Sequence, residues 1–120
     1  MTNISEYEAI IEVINTYLKG ANSGKSELMK PAFANNAIMQ GTNKDGSIVS
    51  GSIENLYKVI DESGEAKGAK SHIDVLYIGE SIASVRVMIE NWHGLHFTDL
   101  HQLFKSNGQW KIVAKAYHTH

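Results

Sequence analysis

The sequence predicts an α+β domain in which three N-terminal helices pack on one face of a strongly curved antiparallel β-sheet. Three observations carry this. Apolar residues recur at three- and four-residue spacing near the start of the chain. From about His72 onward the period changes to two and holds through four long runs. The chain has 120 residues, 42% hydrophobic and 20% charged, which suits one globular domain over 1–120 with a single core.

The first helix is written by Tyr7, Ile10, Ile11, Ile14, Tyr17 and Leu18, one apolar stripe. Ser5 and Glu8 have capping-box spacing at its start, and Gly20 with Ala21-Asn22-Ser23-Gly24 is expected to end it. A short second helix is expected over about Ser26–Ala34, with Leu28, Met29, Ala32 and Phe33 inward and Pro31 tolerated if the helix starts late. Ala37–Gln40 and Ile48–Ser50 pair as a hairpin across Asn43-Lys44-Asp45-Gly46. Ser52 is the expected N-cap of a third helix whose apolar positions are Ile53, Leu56, Val59 and Ile60. After a loose Gly64–Lys70 loop, strands are expected at His72–Ile78, Ser81–Trp92, His96–Lys105 and Gln109–His118. Gly79-Glu80, His93-Gly94 and Ser106-Asn107-Gly108 separate them. Val85, Val87 and Ile89 alternate as though covered, which motivates a homodimer through the outer sheet face.

Composition excludes several classes. A net charge of −2 and a pI near 6.3 leave no electrostatic footprint for nucleic acid or an anionic membrane. No apolar run nears the ~20 residues that span a bilayer. Met1–Glu8 is polar and acidic and does not read as a signal or transit segment. There is no cysteine, so disulfides, thiolate catalysis and thiolate-bound metals are excluded. The expected setting is cytoplasmic. Six histidines raise the question of a metal. His93 and His96 flank a turn, and His118 and His120 alternate at the C-terminus. None has ligand spacing on a helix, and zinc needs three or four converging donors. No metal and no cofactor are expected. No glycine loop has phosphate-binding form, and no serine sits in a nucleophile elbow.

The candidate chemistry lies in Phe97-Thr98-Asp99-Leu100-His101. Two residues apart on a strand, Asp99 and His101 share a face. A carboxylate beside an imidazole can hold a tautomer or share a proton, which makes the pair the candidate catalytic residues. The plainer reading is a polar cross-strand cluster on a solvated or dimer-facing side of the sheet. Their neighbours depend on the hairpin register. A two-residue Asn107-Gly108 turn sets Asp99 and His101 beside Trp110, Ile112, Ala114 and His118. A three-residue Ser106-Asn107-Gly108 loop with a bulge at Gly108 shifts the pairing by one. Leu100, Phe104, Trp110, Ile112 and Ala114 then share an apolar face, and Asp99, His101, Val113, Lys115 and Tyr117 a mixed one. The second register segregates apolar from polar better and is preferred. It makes Tyr117 a candidate ligand-binding residue. Trp92, grouped by alternation with Glu90, Met88 and Arg86, is a candidate platform for a flat ring or, more plainly, a packing aromatic.

The segments Tyr17–Gly24, Phe33–Met39, Ile78–Val87 and Asn107–Val113 together resemble the nuclear transport factor 2-like (cystatin-like, SnoaL-like) superfamily over nearly the whole chain. The Phe97-Thr98-Asp99 run and the Lys115-Ala116-Tyr117-His118 end are most similar to its subgroup labelled putative lumazine-binding. The resemblance implies a cone: a bent sheet wrapped around the first helix, with a pocket at the open end, in a homodimer. Its ketosteroid isomerase branch uses a tyrosine on the first helix, and Tyr17 falls at the matching place, a candidate ligand-binding residue or, more plainly, a core tyrosine whose hydroxyl finds any partner. The isomerase branch also carries a carboxylate base just after the first short strand. Gln40-Gly41 stands there, which tells against that chemistry.

The combined reading is a cone-fold protein that binds a small cyclic or heteroaromatic molecule. It is either a cofactor-free enzyme of the isomerase, dehydratase or cyclase sort, a binding protein without turnover, or a homodimeric association module.

Overall fold

The computed structural model describes residues 4–120; Met1–Asn3, the start of the polar Met1–Glu8 segment, lie outside it. Helix α1 (Ile4–Ser23) leads to a one-turn helix α2 (Ser26–Met29) and a 3₁₀ turn (Lys30–Ala32). Strands β1 (Phe33–Thr42) and β2 (Ile48–Ser52) precede helix α3 (Glu54–Ser63). Four long strands follow: β3 (Lys70–Ile78), β4 (Ile82–Trp92), β5 (Leu95–Ser106) and β6 (Gln109–Thr119). All six form one curved sheet in the order β2-β1-β6-β5-β4-β3. The β3–β6 meander and the β1–β2 hairpin are antiparallel, and β1 adds to the free edge of β6 in parallel. Among the described residues no helix is long and apolar enough to cross a membrane.

Helix α1 lies on the inner face of the sheet. Ile10, Ile14, Tyr17, Leu18 and Ala21 are buried together with Val85, Val87, Ile89, Leu103, Trp110 and Ile112. Tyr7, by contrast, is exposed. Three polar ties set the helix along the sheet. Near its start, Glu6 accepts hydrogen bonds from Lys105 Nζ and, at 2.6 Å, from Trp110 Nε1. In its middle, the Tyr17 hydroxyl bonds to Asp99. Near its end, Trp92 Nε1 donates to the Ala21 carbonyl at 2.9 Å.

The helix boundaries differ from expectation at both ends. Ser5 lies inside α1 rather than capping it. Gly20 does not stop the helix either. A Cβ there would sit 2.7 Å from that of Met29, so this glycine lets α2 close onto α1. The second helix is shorter than expected, because Pro31 opens a 3₁₀ turn and Phe33 is already strand. Leu28 is accordingly exposed. A cap for α2 comes from afar: Asp61 of α3 accepts from both Ser26 N and Ser26 Oγ at 2.8 Å. At the start of α3 the cap position falls to Ile53 rather than Ser52, although Ser52 Oγ accepts from Glu54 N at 3.1 Å. Ile53, Leu56 and Ile60 of the third apolar stripe are buried, whereas Val59 is exposed.

The Val85, Val87 and Ile89 alternation faces inward under α1, so the helix and not a partner covers it. The outer face instead carries exposed Ile38, Ile82, Met88, Leu100 and Phe104.

Ile14 is wholly buried beneath the middle of α1. Its replacement by Ala is expected to lower stability by about 2–5 kcal/mol through lost transfer energy and the cavity left behind. A urea midpoint equal to that of the parent would contradict this packing.

Candidate functional site

Strand β5 turns Asp99, His101 and Leu103 inward and Leu100 and Phe104 outward, as alternation requires. Strand β6 departs from simple alternation. At the hairpin tip Ser106 pairs with Gln109, and Asn107 and Gly108 both have positive φ, 53° and 75°. This is the geometry of a two-residue type I′ turn, which suits the twist of the flanking strands. The three-residue loop with a bulge at Gly108 is therefore not formed. The register shifts further along: Leu103 faces Ile112, but Gln102 faces Ala114, so Val113 is the extra residue of a bulge. Parity flips there. Trp110 and Ile112 before the bulge, and Lys115, Tyr117 and Thr119 after it, all turn inward. Leu100 and Phe104 do not share a face with Trp110 and Ile112. Asp99, His101, Lys115 and Tyr117 do become neighbours, with Asp99 opposite Tyr117 and His101 opposite Lys115.

A second parity change sets Trp92. Asn91 has φ 57°, and the β4–β5 register breaks between Ile89 and Trp92. Trp92 thereby joins the inner set, while Glu90 and Met88 stay outside.

A cavity of about 790 Å³ opens between the inner sheet face, α1 and α3. Asp99, Lys115, Tyr17 and Met39 line its polar end, and Trp92, Phe97 and Tyr117 its aromatic walls. Asn43, Lys44, Lys58 and Glu62 also border it. His101 is fully buried and is not part of the lining; it packs beside Asp99 with its ring 4.9 Å from that of Tyr17. Tyr117 lies across β1 because Gly41 has no side chain: a Cβ there would come within 2.1 Å of the ring. Its hydroxyl donates to Asn43 Oδ1 at 3.0 Å. His118 and His120 meet edge to face, their ring centroids 4.9 Å apart, and both are exposed.

Asp99 is the centre of the polar end. Its Oδ2 accepts a 2.7 Å hydrogen bond from the Tyr17 hydroxyl and a longer one, 3.4 Å, from His101 Nε2. Its Oδ1 is 3.9 Å from Lys115 Nζ, an ion-pair separation beyond hydrogen-bond contact. Burial pushes the Asp99 carboxyl up, but Lys115, His101 and Tyr17 together outweigh it and hold the group below its usual range. Burial pushes the His101 ring down more than Asp99 pulls it up, so the neutral imidazole is favoured. An ionised carboxylate only accepts, so the nitrogen facing it, Nε2, carries the proton. Nδ1 has no hydrogen-bond partner among the described residues. Burial, followed by the Asp99 charge, raises Tyr17 well above the usual phenol range and keeps it a donor.

The five sequence candidates are thus gathered unequally. Tyr17, Asp99, Trp92 and Tyr117 border the cavity, and His101 backs it. Sequence reasoning identifies Lys115 as a neighbour of the pair but not as a site residue. Alternation with Tyr117 is the signal that could have added it. Among the described residues no group of three or more His, Asp or Glu converges to hold a metal.

The curved sheet, the enclosed helix and the cavity at its end define a nuclear transport factor 2-like protein. The family model described as "Putative lumazine-binding" matches residues 5–118, and the chain belongs to that family. The chain is similar to Aldolase FrzH of Cladobotryum sp., with 32% identity over 117 residues, 97% of this chain and 93% of that protein. It is similar to a nuclear transport factor 2-like protein of unknown function from Shewanella baltica, with a TM-score of 0.92 and 36% identity, covering 100% of this chain and 98% of that one. Another such protein, from Methylobacillus flagellatus, gives 0.91 and 35%, covering 99% and 95%.

The His101 environment sets a sign for pH dependence. Its folded pKa lies below the unfolded 6.5. Between those two values the unfolded chain binds a proton that the folded one does not, so stability falls as pH drops below 6.5. Asp99 adds a loss of the same sign only below 3.8. Urea midpoints measured across the acid range should decline from pH 6.5 downward, and His101→Gln should flatten the first part of that decline. An unchanged slope in a folded variant would assign it to other groups.

Proposed function

We propose that this protein is a cofactor-free acid–base enzyme that acts at a carbon beside a carbonyl, in a small, largely apolar cyclic compound. One observation carries the reading: a buried, ionised Asp99 borders an apolar cavity with an amine and a phenol beside it. In this reading Asp99 Oδ1 takes the proton from carbon, and Lys115 meets the carbonyl end as negative charge develops there. Tyr17 and His101 act as positioning residues that hold the carboxylate and keep it ionised. Trp92, Phe97 and Tyr117 offer faces for a flat ring. The cavity volume suits a small organic molecule. The likeness to a protein named an aldolase supports the same class of chemistry, since aldol reactions begin by removing a proton next to a carbonyl.

The test uses 2-tetralone, a bicyclic ketone with one flat aromatic ring, in deuterated buffer, with proton exchange followed by NMR. The wild-type protein should speed exchange at the carbons beside the carbonyl. Asp99→Asn should reduce that acceleration by about a hundredfold or more. An acceleration retained in folded Asp99→Asn would remove Asp99 as the base. A thermal shift with the ketone but no exchange would favour a binding protein without turnover.

The same proposal includes a homodimer through the outer sheet face. Its support is the set of exposed apolar side chains there, with Leu100, Ala114, Ala116 and Ile38 around one shallow depression. Sedimentation velocity at micromolar concentration should give a dimer, and Leu100→Asp should give a monomer. A wild-type monomer under those conditions would count against the interface.

A further inference from the structure

We propose that Lys115 is an amine nucleophile, forming a carbinolamine and then an iminium with an aldehyde or ketone held in the cavity. This deepens the acid–base reading above and rests on it.

The geometry is unusual for a structural ion pair. Lys115 is 5% exposed, yet it lines the cavity. Among the described residues its hydrogen-bond partner is a thioether, Met39 Sδ at 3.8 Å. An ammonium buried for structural reasons needs oxygen acceptors for its three N–H groups. The one carboxylate nearby stands 3.9 Å away and is already bonded to Tyr17 and His101. The remaining surroundings are aromatic: the Tyr117 ring centroid lies 4.4 Å from Nζ and that of Tyr17 5.9 Å. Such a niche costs a neutral amine less than an ammonium, which has one more N–H to satisfy and a full charge to desolvate. It also suits a cationic iminium, which faces the same rings and the same carboxylate. Burial holds the amine below its usual range, and Asp99 offsets this only in part.

The step balances without an oxidant or reductant. The nitrogen lone pair forms the N–C bond as the carbonyl π pair moves to oxygen. One N–H proton passes to that oxygen and gives the carbinolamine. A proton from solvent at the cavity mouth converts the hydroxyl into water. As the C–O bond breaks, the nitrogen lone pair forms C=N⁺. Amine, carbonyl and one proton thus become iminium and water. The positive nitrogen then makes the neighbouring C–H more acidic, and Asp99 takes that proton to leave an enamine.

The experiment uses 2,4-pentanedione, a diketone that condenses with neutral amines to a stable enaminone and water. Near-ultraviolet absorbance follows the reaction, and peptide mass spectrometry locates the adduct. At pH 7, Lys115 should label about tenfold faster than the exposed Lys67, or more, because burial leaves a larger share of its amine neutral and nucleophilic. The fast phase should vanish in Lys115→Met and in Lys115→Arg, and persist in Lys67→Met. Circular dichroism identifies any variant that fails to fold, and the wild-type labelling pattern decides the matter without variants. Labelling of Lys67 but not Lys115 in the folded wild type would overturn the proposal. If 2-tetralone still exchanges its protons in that case, the acid–base reading stands and only the covalent role falls. A Lys115 adduct without any exchange would keep the amine and remove Asp99 as the base.

Discussion

A carboxylate buried on the inner face of a sheet is the constraint around which this molecule is organised. Asp99 cannot be left alone in an apolar interior, since an isolated charge there costs many kcal/mol. Three elements, α1, β5 and β6, supply the compensation. Helix α1 brings the Tyr17 hydroxyl to 2.7 Å, β5 itself brings His101, and β6 brings Lys115. The Tyr17 bond lies between the Glu6 and Ala21 contacts that fix the two ends of α1. The same bonds that satisfy the charge therefore set the helix against the sheet. Displacement of α1 by one turn would leave Asp99 without its shortest hydrogen bond.

The second constraint is parity. On an unbroken β6, a strand that buries Trp110 and Ile112 would also bury Ala114 and Ala116, and would expose Lys115 and Tyr117. The Val113 bulge lets one strand serve the core with one parity and the cavity with the other. Asn91 does the same for β4, where Val85, Val87 and Ile89 serve the core and Trp92 the cavity. Both irregularities bring an aromatic side chain, Tyr117 and Trp92, to the cavity wall.

This explains which parts were legible in the sequence. Long runs of period 3.6 or period 2 report burial directly, so α1, α3 and the four long strands could be read within a few residues. Asp99 and His101 lie on a regular stretch of β5, and their shared face follows from spacing alone. Bulges interrupt periodicity without a composition signal of their own. Val113 is an ordinary strand residue, and nothing about it marks an extra position. Segregating apolar from polar residues leads to the right neighbours for Asp99, but it puts the shift at Gly108, where glycine makes a bulge easiest to justify. It also misassigns Leu100 and Phe104 to the inner face. Trp92 is grouped with Glu90 for the same reason. Gly20 and Ser5 are misread because their usual roles at helix ends carry more weight in sequence than a close contact with Met29 or the true position of the first turn.

The division of labour around Asp99 bears on how free Lys115 is. In a simple buried ion pair the two charges need each other, and removing one strands the other. Here the carboxylate has two donors besides the amine, so its ionised form does not depend on Lys115 alone. The His101 ring is held neutral and contributes a hydrogen bond without a competing positive charge. The Lys115 amine, lacking any oxygen within hydrogen-bond distance among the described residues, gains less from staying charged than the carboxylate does. Protons in such a group belong to the cluster rather than to single residues. A carbonyl oxygen entering the cavity would give the Lys115 amine an oxygen acceptor that the described residues do not. Redistribution of a proton within the cluster costs less than creating a new charge in an apolar cavity.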